Sequence, residues 1–557
     1  MPRKLFLLMP VVVALTALLR SDAWAQTKPT PNPIIRETMK EAEKIIGLKF
    51  SDAKIDSMLS GLKDQLANYE GIRKIALANS VPPVLQFNPI PVGMKFDSTR
   101  RPFIMSDPGK VEVPKNFEEL AYYSVGQLSE LIRTRKITST QLTKMYLGRL
   151  KKYGPTLECV ITLTEGLALK QAKRADDEIA AGKYRGPLHG IPYGAKDLLA
   201  TKGIKTTWGS VPYKDQVFDY DATVIKRLED ADAVLLAKLT MGELAWGEVW
   251  YGGMTRNPWN IKEGSSGSSA GSAAATSAGL VAFSIGTETW GSIVSPSTVC
   301  GTTGLRPTYG RVSRTGAMAL SWSMDKIGPI CRTVEDCALV FNAIHGPDGE
   351  DQTLFDLPFN YTPAIDLKGL KIGYLSKEFE AEKTNLANDS LTLVKLTQMG
   401  ATLVSVEMPK SFTPDLNIIL SVDAGAAFDE LTRSGKDDLL VRQIKDAWPN
   451  VFRLSRFIPA VEYIQANRVR WLAIQEMKTL MDSVDILIAP SMEGDNSLLT
   501  NLTGHPVVVV PNGFSKEGTP TSISFIGRLF DEATICAVGK KYQDATGFHL
   551  KHPPMFR

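Results

Sequence analysis

EGSSGSSAGSAAATSAGLVAFSIGTETWGSIVSPSTVCGTTGLRPTYGRVSRTG, residues Glu263–Gly316, is the stretch on which the fold turns. It opens on a Gly/Ser cluster, passes through small residues at Ser272–Gly279, and enters an apolar run at Leu280–Ile285. A second glycine-serine step follows at Gly291-Ser292. Composition alone describes a flexible Gly/Ser linker. A linker, however, is not followed at once by a small-residue helix pattern and an apolar strand. The serines therefore read as hydroxyls held beside backbone N–H groups inside a packed domain.

Two serine motifs compete within the stretch. Gly267-Ser268-Ser269-Ala270-Gly271 satisfies GxSxG, the nucleophile elbow, which needs an apolar strand immediately before it. The preceding residues Asn257–Glu263 are polar and turn-like, and His345 and His505 sit in no context that supplies the partner histidine. The second motif, Gly286-Thr287-Glu288-Thr289-Trp290-Gly291-Ser292-Ile293, directly follows the apolar run. A serine leaving a strand in a tight loop has free backbone N–H groups around it, as an oxyanion hole requires. Such a serine still needs a base. With no histidine nearby, the candidate is Lys196, at the end of the glycine-punctuated apolar run Leu188–Ala195. A desolvated lysine without a carboxylate partner has its charged form disfavoured and can act as a neutral base.

Working outward, short apolar strands alternate with capped helices. Ser124 and Thr138 or Ser139 cap two helices, and strands are expected at Glu158–Thr164, Leu188–Ala195 and Ala233–Lys238. Further strands follow at Leu370–Leu375, Ala401–Met408, Val484–Ala489, Pro506–Val510 and Ser522–Gly527, with a largely helical region at Asn417–Glu476. The pattern predicts an α/β/α sandwich around a large mixed, mostly parallel twisted sheet.

Several ordered motifs across residues 117–550 resemble the amidase signature family, the Ser-cisSer-Lys hydrolases. The family's GGSSGGSAAA run is met by Ser266–Ala275 (SGSSAGSAAA), and its G-T-D-x-G-G-S-I-R-x-P loop by Gly286–Pro296. Its G-L-K-P-T-x-G-x-V-S is met by Gly304–Ser313, and its G-I-P-x-x-x-K-D by Gly190–Asp197. Asn501–Pro506 and Ile526-Gly527-Arg528 fit its C-terminal blocks. The resemblance implies that Ser292 is the nucleophile, Lys196 the general base, and Ser268, preceded by a cis peptide bond, the relay hydroxyl. It places the oxyanion donors on the backbone N–H groups of Thr289, Trp290, Gly291 and Ser292, with Ser269 and Gly267 in support. It implies hydrolysis of a small-molecule amide through an acyl-enzyme, with no metal and no organic cofactor. A glutaminase subunit of a tRNA-dependent amidotransferase, and a silent binding protein keeping the fold, are the alternatives. Three departures stand out: Glu288 for Asp, Trp290 for Gly and Val294 for Arg. The paired change at 288 and 294 predicts a rearranged ion pair, and the Trp290 indole is a candidate lining of the acyl pocket.

The chain has 557 residues, 43% hydrophobic and 22% charged, with a net charge of +4. That balance is too small to imply a nucleic-acid partner, no basic run is interleaved with aromatics, and no nucleic-acid partner is expected. Residues 1–25 have the pattern of a secretory signal: Arg3 and Lys4, an apolar Leu5–Leu19, then Ala23-Trp24-Ala25. Export to the periplasm or beyond is expected, with no membrane attachment after cleavage, as a monomer or a homodimer. Residues 26–115 read as an extension carrying two amphipathic helices and a Pro-rich tract, and 116–550 as the family domain. The five cysteines show no CxxC, and Cys331 with Cys337 is the one conceivable pair.

Overall fold

A computed structural model describes residues 34–557; the signal-like segment 1–25 lies outside them. The chain divides into two compact units, one up to Ala76 and one from Leu77 onward. Residues 77–115, grouped above with the extension, thus belong to the same unit as the motifs. The first unit holds the two expected helices, Arg36–Ile46 and Asp52–Arg73. They are joined by exposed ion pairs such as Lys40–Asp52 at 3.0 Å.

The second unit is built on eleven strands: β1 Val160–Leu163, β2 Pro192–Lys196, β3 Val234–Leu239, β4 Phe283–Glu288, β5 Thr303–Arg306, β6 Lys326–Cys331, β7 Lys371–Leu375, β8 Thr402–Val406, β9 Ile486–Pro490, β10 Val507–Phe514 and β11 Pro520–Ile526. They form one sheet in the order β1-β3-β2-β4-β6-β5-β10-β11-β9-β7-β8, flanked by helices. β2, β3, β4, β5, β6, β9 and β11 are buried at every residue, and in β3 (VLLAKL) and β9 (ILIAP) that burial on both faces gives an apolar run rather than an alternation.

The sheet is mixed, as the sequence predicts, but not mostly parallel. Of its ten pairings, only β2–β3, β2–β4, β7–β8 and β7–β9 are parallel. The other six are antiparallel. β10 and β11 are joined by a short turn, which permits only an antiparallel pair. β5 and β6, which the sequence pattern does not reveal, supply three more. β5 has four residues and β6 contains Gly328-Pro329, so neither shows a strand-like run.

Ser124 and Thr138 form capping boxes with Gln127 and Gln141, confirming both helix starts. The helix Ala270–Ser277 (AGSAAATS) is buried on all sides, and its small residues let it lie close against the sheet. All five cysteines are free and buried, Cys331 and Cys337 included. No helix among the described residues is long and apolar enough to cross a membrane.

Candidate active site

β2 and β4 are parallel neighbours, with Ala195 opposite Ile285. Both end on the same edge, so Lys196, the last residue of β2, lies beside the loop that follows β4. The segment Ser265–Ser269 starts the helix that leads into β4. The topology therefore delivers all three motifs to the carboxyl ends of two parallel strands, the usual place for chemistry in α/β sheets.

Lys196 is fully buried. Its Nζ donates to Ser268 Oγ at 2.8 Å, Ser269 Oγ at 3.0 Å and Thr287 Oγ1 at 2.9 Å, and more weakly to the Thr287 carbonyl at 3.3 Å. No carboxylate pairs with it among the described residues. The adjacent Asp197 is already engaged by Lys238 at 3.2 Å and by the Thr207 N–H and hydroxyl. Burial lowers the Lys196 ammonium from 10.5 to about 7, against a smaller opposing pull from Asp325 and Glu288.

The two serines differ in what they can do. Ser269 Oγ donates to the Thr287 carbonyl at 3.0 Å and accepts from Thr287 N–H at 3.1 Å, so its own proton is committed. That also explains why this N-cap residue makes no side-chain cap to its helix. Ser268 Oγ has Lys196 as its partner. The Gly267–Ser268 peptide bond is cis, as the resemblance implies. A Cβ on Gly267 would stand 1.9 Å from the Gly247 carbonyl oxygen, so no larger residue fits there.

Ser292 follows β4 in a loop whose turn is made by Gly291 at φ +81°. Its backbone carbonyl accepts from Ser269 N–H at 3.2 Å, tying the two serine segments together. No hydrogen bond joins Ser292 Oγ to Ser268 Oγ among the described residues, a contact that substrate often tightens. The N–H groups of Thr289, Trp290, Gly291 and Ser292 have no acceptor among the described residues, whereas those of Ile293 and Val294 are both taken by Glu288 Oε2 at 2.8 and 3.0 Å. Four consecutive donors are left free between a fixed strand end and a fixed helix start.

Glu288 is the clamp. Its other oxygen accepts from Arg306 at 2.7 Å and Asn501 at 2.8 Å. Burial would raise this carboxyl, but Arg306, Asn501 and the Val294 N–H outweigh it and hold it at about 2. The rearranged ion pair is thus Glu288–Arg306, and Val294 needs no charge. Sequence reasoning passed over Arg306 and Asn501 as functional residues, although both stand in quoted motifs; only their long-range partner gives them meaning. Thr289 is fixed in turn by its hydroxyl to Asp325 Oδ1 at 2.5 Å. Arg306→Ala leaves a buried carboxylate unpaired and is expected to cost about 3–5 kcal/mol of stability, read by chemical unfolding. A loss below about 1 kcal/mol would deny the clamp.

A cavity of about 580 Å³ adjoins this site, lined by Thr287 and Thr289 together with Leu198, Ala245, Met318 and Leu320. Trp290 is not part of its lining and is 43% exposed, contrary to the expectation that its indole lines the pocket. Elsewhere, Glu178, His189 and Asp232 present ligand atoms within 4.8 Å of one another. Arg185 and Arg174 already neutralise both carboxylates, which leaves a poor donor set for a cation.

The amidase family model matches residues 141–536. The chain belongs to the amidase family. Among curated relatives, a glutamyl-tRNA(Gln) amidotransferase subunit from Coxiella burnetii is 34% identical over 481 residues, covering 78% of this chain and 99% of the relative. The native peptide amidase from Stenotrophomonas maltophilia superimposes with a TM-score of 0.68 at 28% identity, over 79% of this chain and 99% of that one. A bacterial aryl acylamidase shares the fold, with a TM-score of 0.70 at 22% identity over 77% and 97% of the two chains. As a member of the amidase family the chain is an enzyme acting on C–N amide bonds.

Proposed function

We propose that this chain is an exported serine amidase that hydrolyses a small-molecule carboxamide through an acyl-enzyme on Ser292. The observation that carries the reading is Lys196: fully buried, 2.8 Å from the Ser268 hydroxyl, and, among the described residues, without a carboxylate partner or a competitor for that hydroxyl. In its neutral form the contact reverses, and Ser268 O–H donates to the Lys196 lone pair. Ser268 then takes the proton of Ser292, whose oxygen attacks the amide carbonyl. The developing oxyanion meets the free N–H groups of residues 289–292. The relay runs backward to protonate the leaving amine, and water releases the acid. No step calls on a metal or an organic cofactor.

The glutaminase alternative draws on the likeness to the Coxiella relative. The export pattern of residues 1–25 favours the amidase, because a tRNA partner is cytoplasmic. Purified protein lacking residues 1–25 is expected to release ammonia or amine from a panel of aliphatic, aryl and peptide amides. Glutamine as the one accepted substrate would favour the glutaminase.

The pH profile carries a signed expectation. Lys196 acts when deprotonated, and its value of about 7 lies far below the ordinary 10.5. For an uncharged amide, kcat/KM is expected to rise about tenfold per pH unit below 7 and to level off above it. A flat profile from pH 5 to 9 would remove Lys196 as the base.

A further inference from the structure

The cavity beside the active site has one wall that the family span 141–536 does not contain. Ser80, Pro82, Pro83, Val84, Leu85 and Gln86 line it. The chain reaches this wall between two anchors. At one end the Asn79 side chain pairs both ways with Ala319, donating to its carbonyl at 2.9 Å and accepting from its N–H at 2.7 Å. At the other, the Phe87 ring lies under the Arg470 guanidinium, 3.6 Å from the ring centre, and edge-on to Tyr309 at 5.0 Å. Between the anchors, among the described residues, the body offers the strap one side-chain hydrogen bond, Gln86 to Gln352 at 3.1 Å. Pro82-Pro83 stiffens the span without needing any, because proline fixes φ and carries no N–H.

The span is apolar yet uncovered. Val84 is 97% and Leu85 75% exposed, although both border the cavity. Leu198, Met318, Leu320 and Ile327 line the same cavity. Of the charged groups lining it, Glu350 is exposed and the buried Lys326 donates to the Met324 carbonyl. Arg314 pairs with Asp351 at 3.1 Å, and Asp325 accepts from Thr289, Leu320 and Ser321. The Arg314 and Asp325 charges are thus matched, and burial disfavours the charged form of Lys326, whereas an apolar group would cover the exposed side chains of the strap.

We propose that Ser80–Gln86, anchored by Asn79 and Phe87, is a specificity-determining wall that an uncharged apolar group of the amide closes against. The inference rests on the functional reading above for the ligand's identity, and its test is independent of turnover. In the Ser292→Ala protein, the affinity for 4-phenylbutanamide is measured by calorimetry with the native strap, with Ser80–Gln86 replaced by Gly/Ser of equal length, and with Leu85→Asp. Each altered strap is expected to weaken binding about tenfold without changing the thermal midpoint. Equal affinity in all three, or binding in none, would overturn the proposal. Fluorophosphonate labelling of the protein with Ser292 intact is run alongside. If labelling fails while the strap still changes the affinity, the acyl-enzyme reading falls and the wall stands.

Discussion

Ser292→Ala is expected to lower amide turnover by about 10⁴-fold or more, with substrate affinity little changed. The substitution removes one oxygen atom from a loop whose geometry is set by other groups. Gly291 makes the turn, Glu288 holds the N–H groups of Ile293 and Val294, and the Ser292 carbonyl is tied to Ser269 N–H. None of these depends on the hydroxyl. The free N–H groups at 289–292 and the Lys196–Ser268 pair therefore survive, and the fold with them. The measurement is single-turnover release of amine, together with a binding titration. Turnover within tenfold of the native protein would place the nucleophile elsewhere.

Lys196→Ala is expected to lower kcat by about 10²–10⁴-fold and to abolish the rising limb of the pH profile near 7. Neither His505 nor His345 offers a substitute base. His505 is hydrogen-bonded to Thr503, and burial lowers it to about 3; His345 is held at about 3 by burial and by nearby arginines. A stability measurement complements the kinetics. Because Lys196 titrates at about 7 folded but near its ordinary 10.5 unfolded, the unfolded chain binds more protons between those values. Its contribution to stability therefore grows as pH rises from about 7 to 10.5 and is flat below 7. In Lys196→Met that component of the slope is expected to vanish. A variant that keeps both the kinetic limb and the slope would show that another group is responsible.

The site was legible in the sequence wherever chemistry is local. Ser268, Ser269, Gly291 and Ser292 lie in one stretch, and Lys196 ends a run apolar enough to be recognised as buried. What the sequence could not display is the pairing that holds them. Glu288 meets Arg306, 18 residues on, and Asn501, 213 residues on, and only the sheet order brings the three together. Asp197, adjacent to the base in the chain, faces Lys238 instead, which is what leaves Lys196 unpaired. In the fold, long apolar strands announced themselves, while Thr303–Arg306 and Lys326–Cys331 did not. The first is short, the second is interrupted by Gly-Pro, and with both unseen the sheet looked more parallel than it is. Trp290 shows the same limit from the other side. Its place in the motif pointed toward the pocket, but a backbone turn at Gly291 leaves its ring near the surface.

Peptide mapping by mass spectrometry after brief fluorophosphonate treatment tests the role of Ser292 most directly. A single covalent adduct is expected on Ser292, absent in Ser292→Ala and formed far more slowly in Lys196→Ala. An adduct on Ser268 or Ser269 with Ser292 unmodified would contradict the assignment.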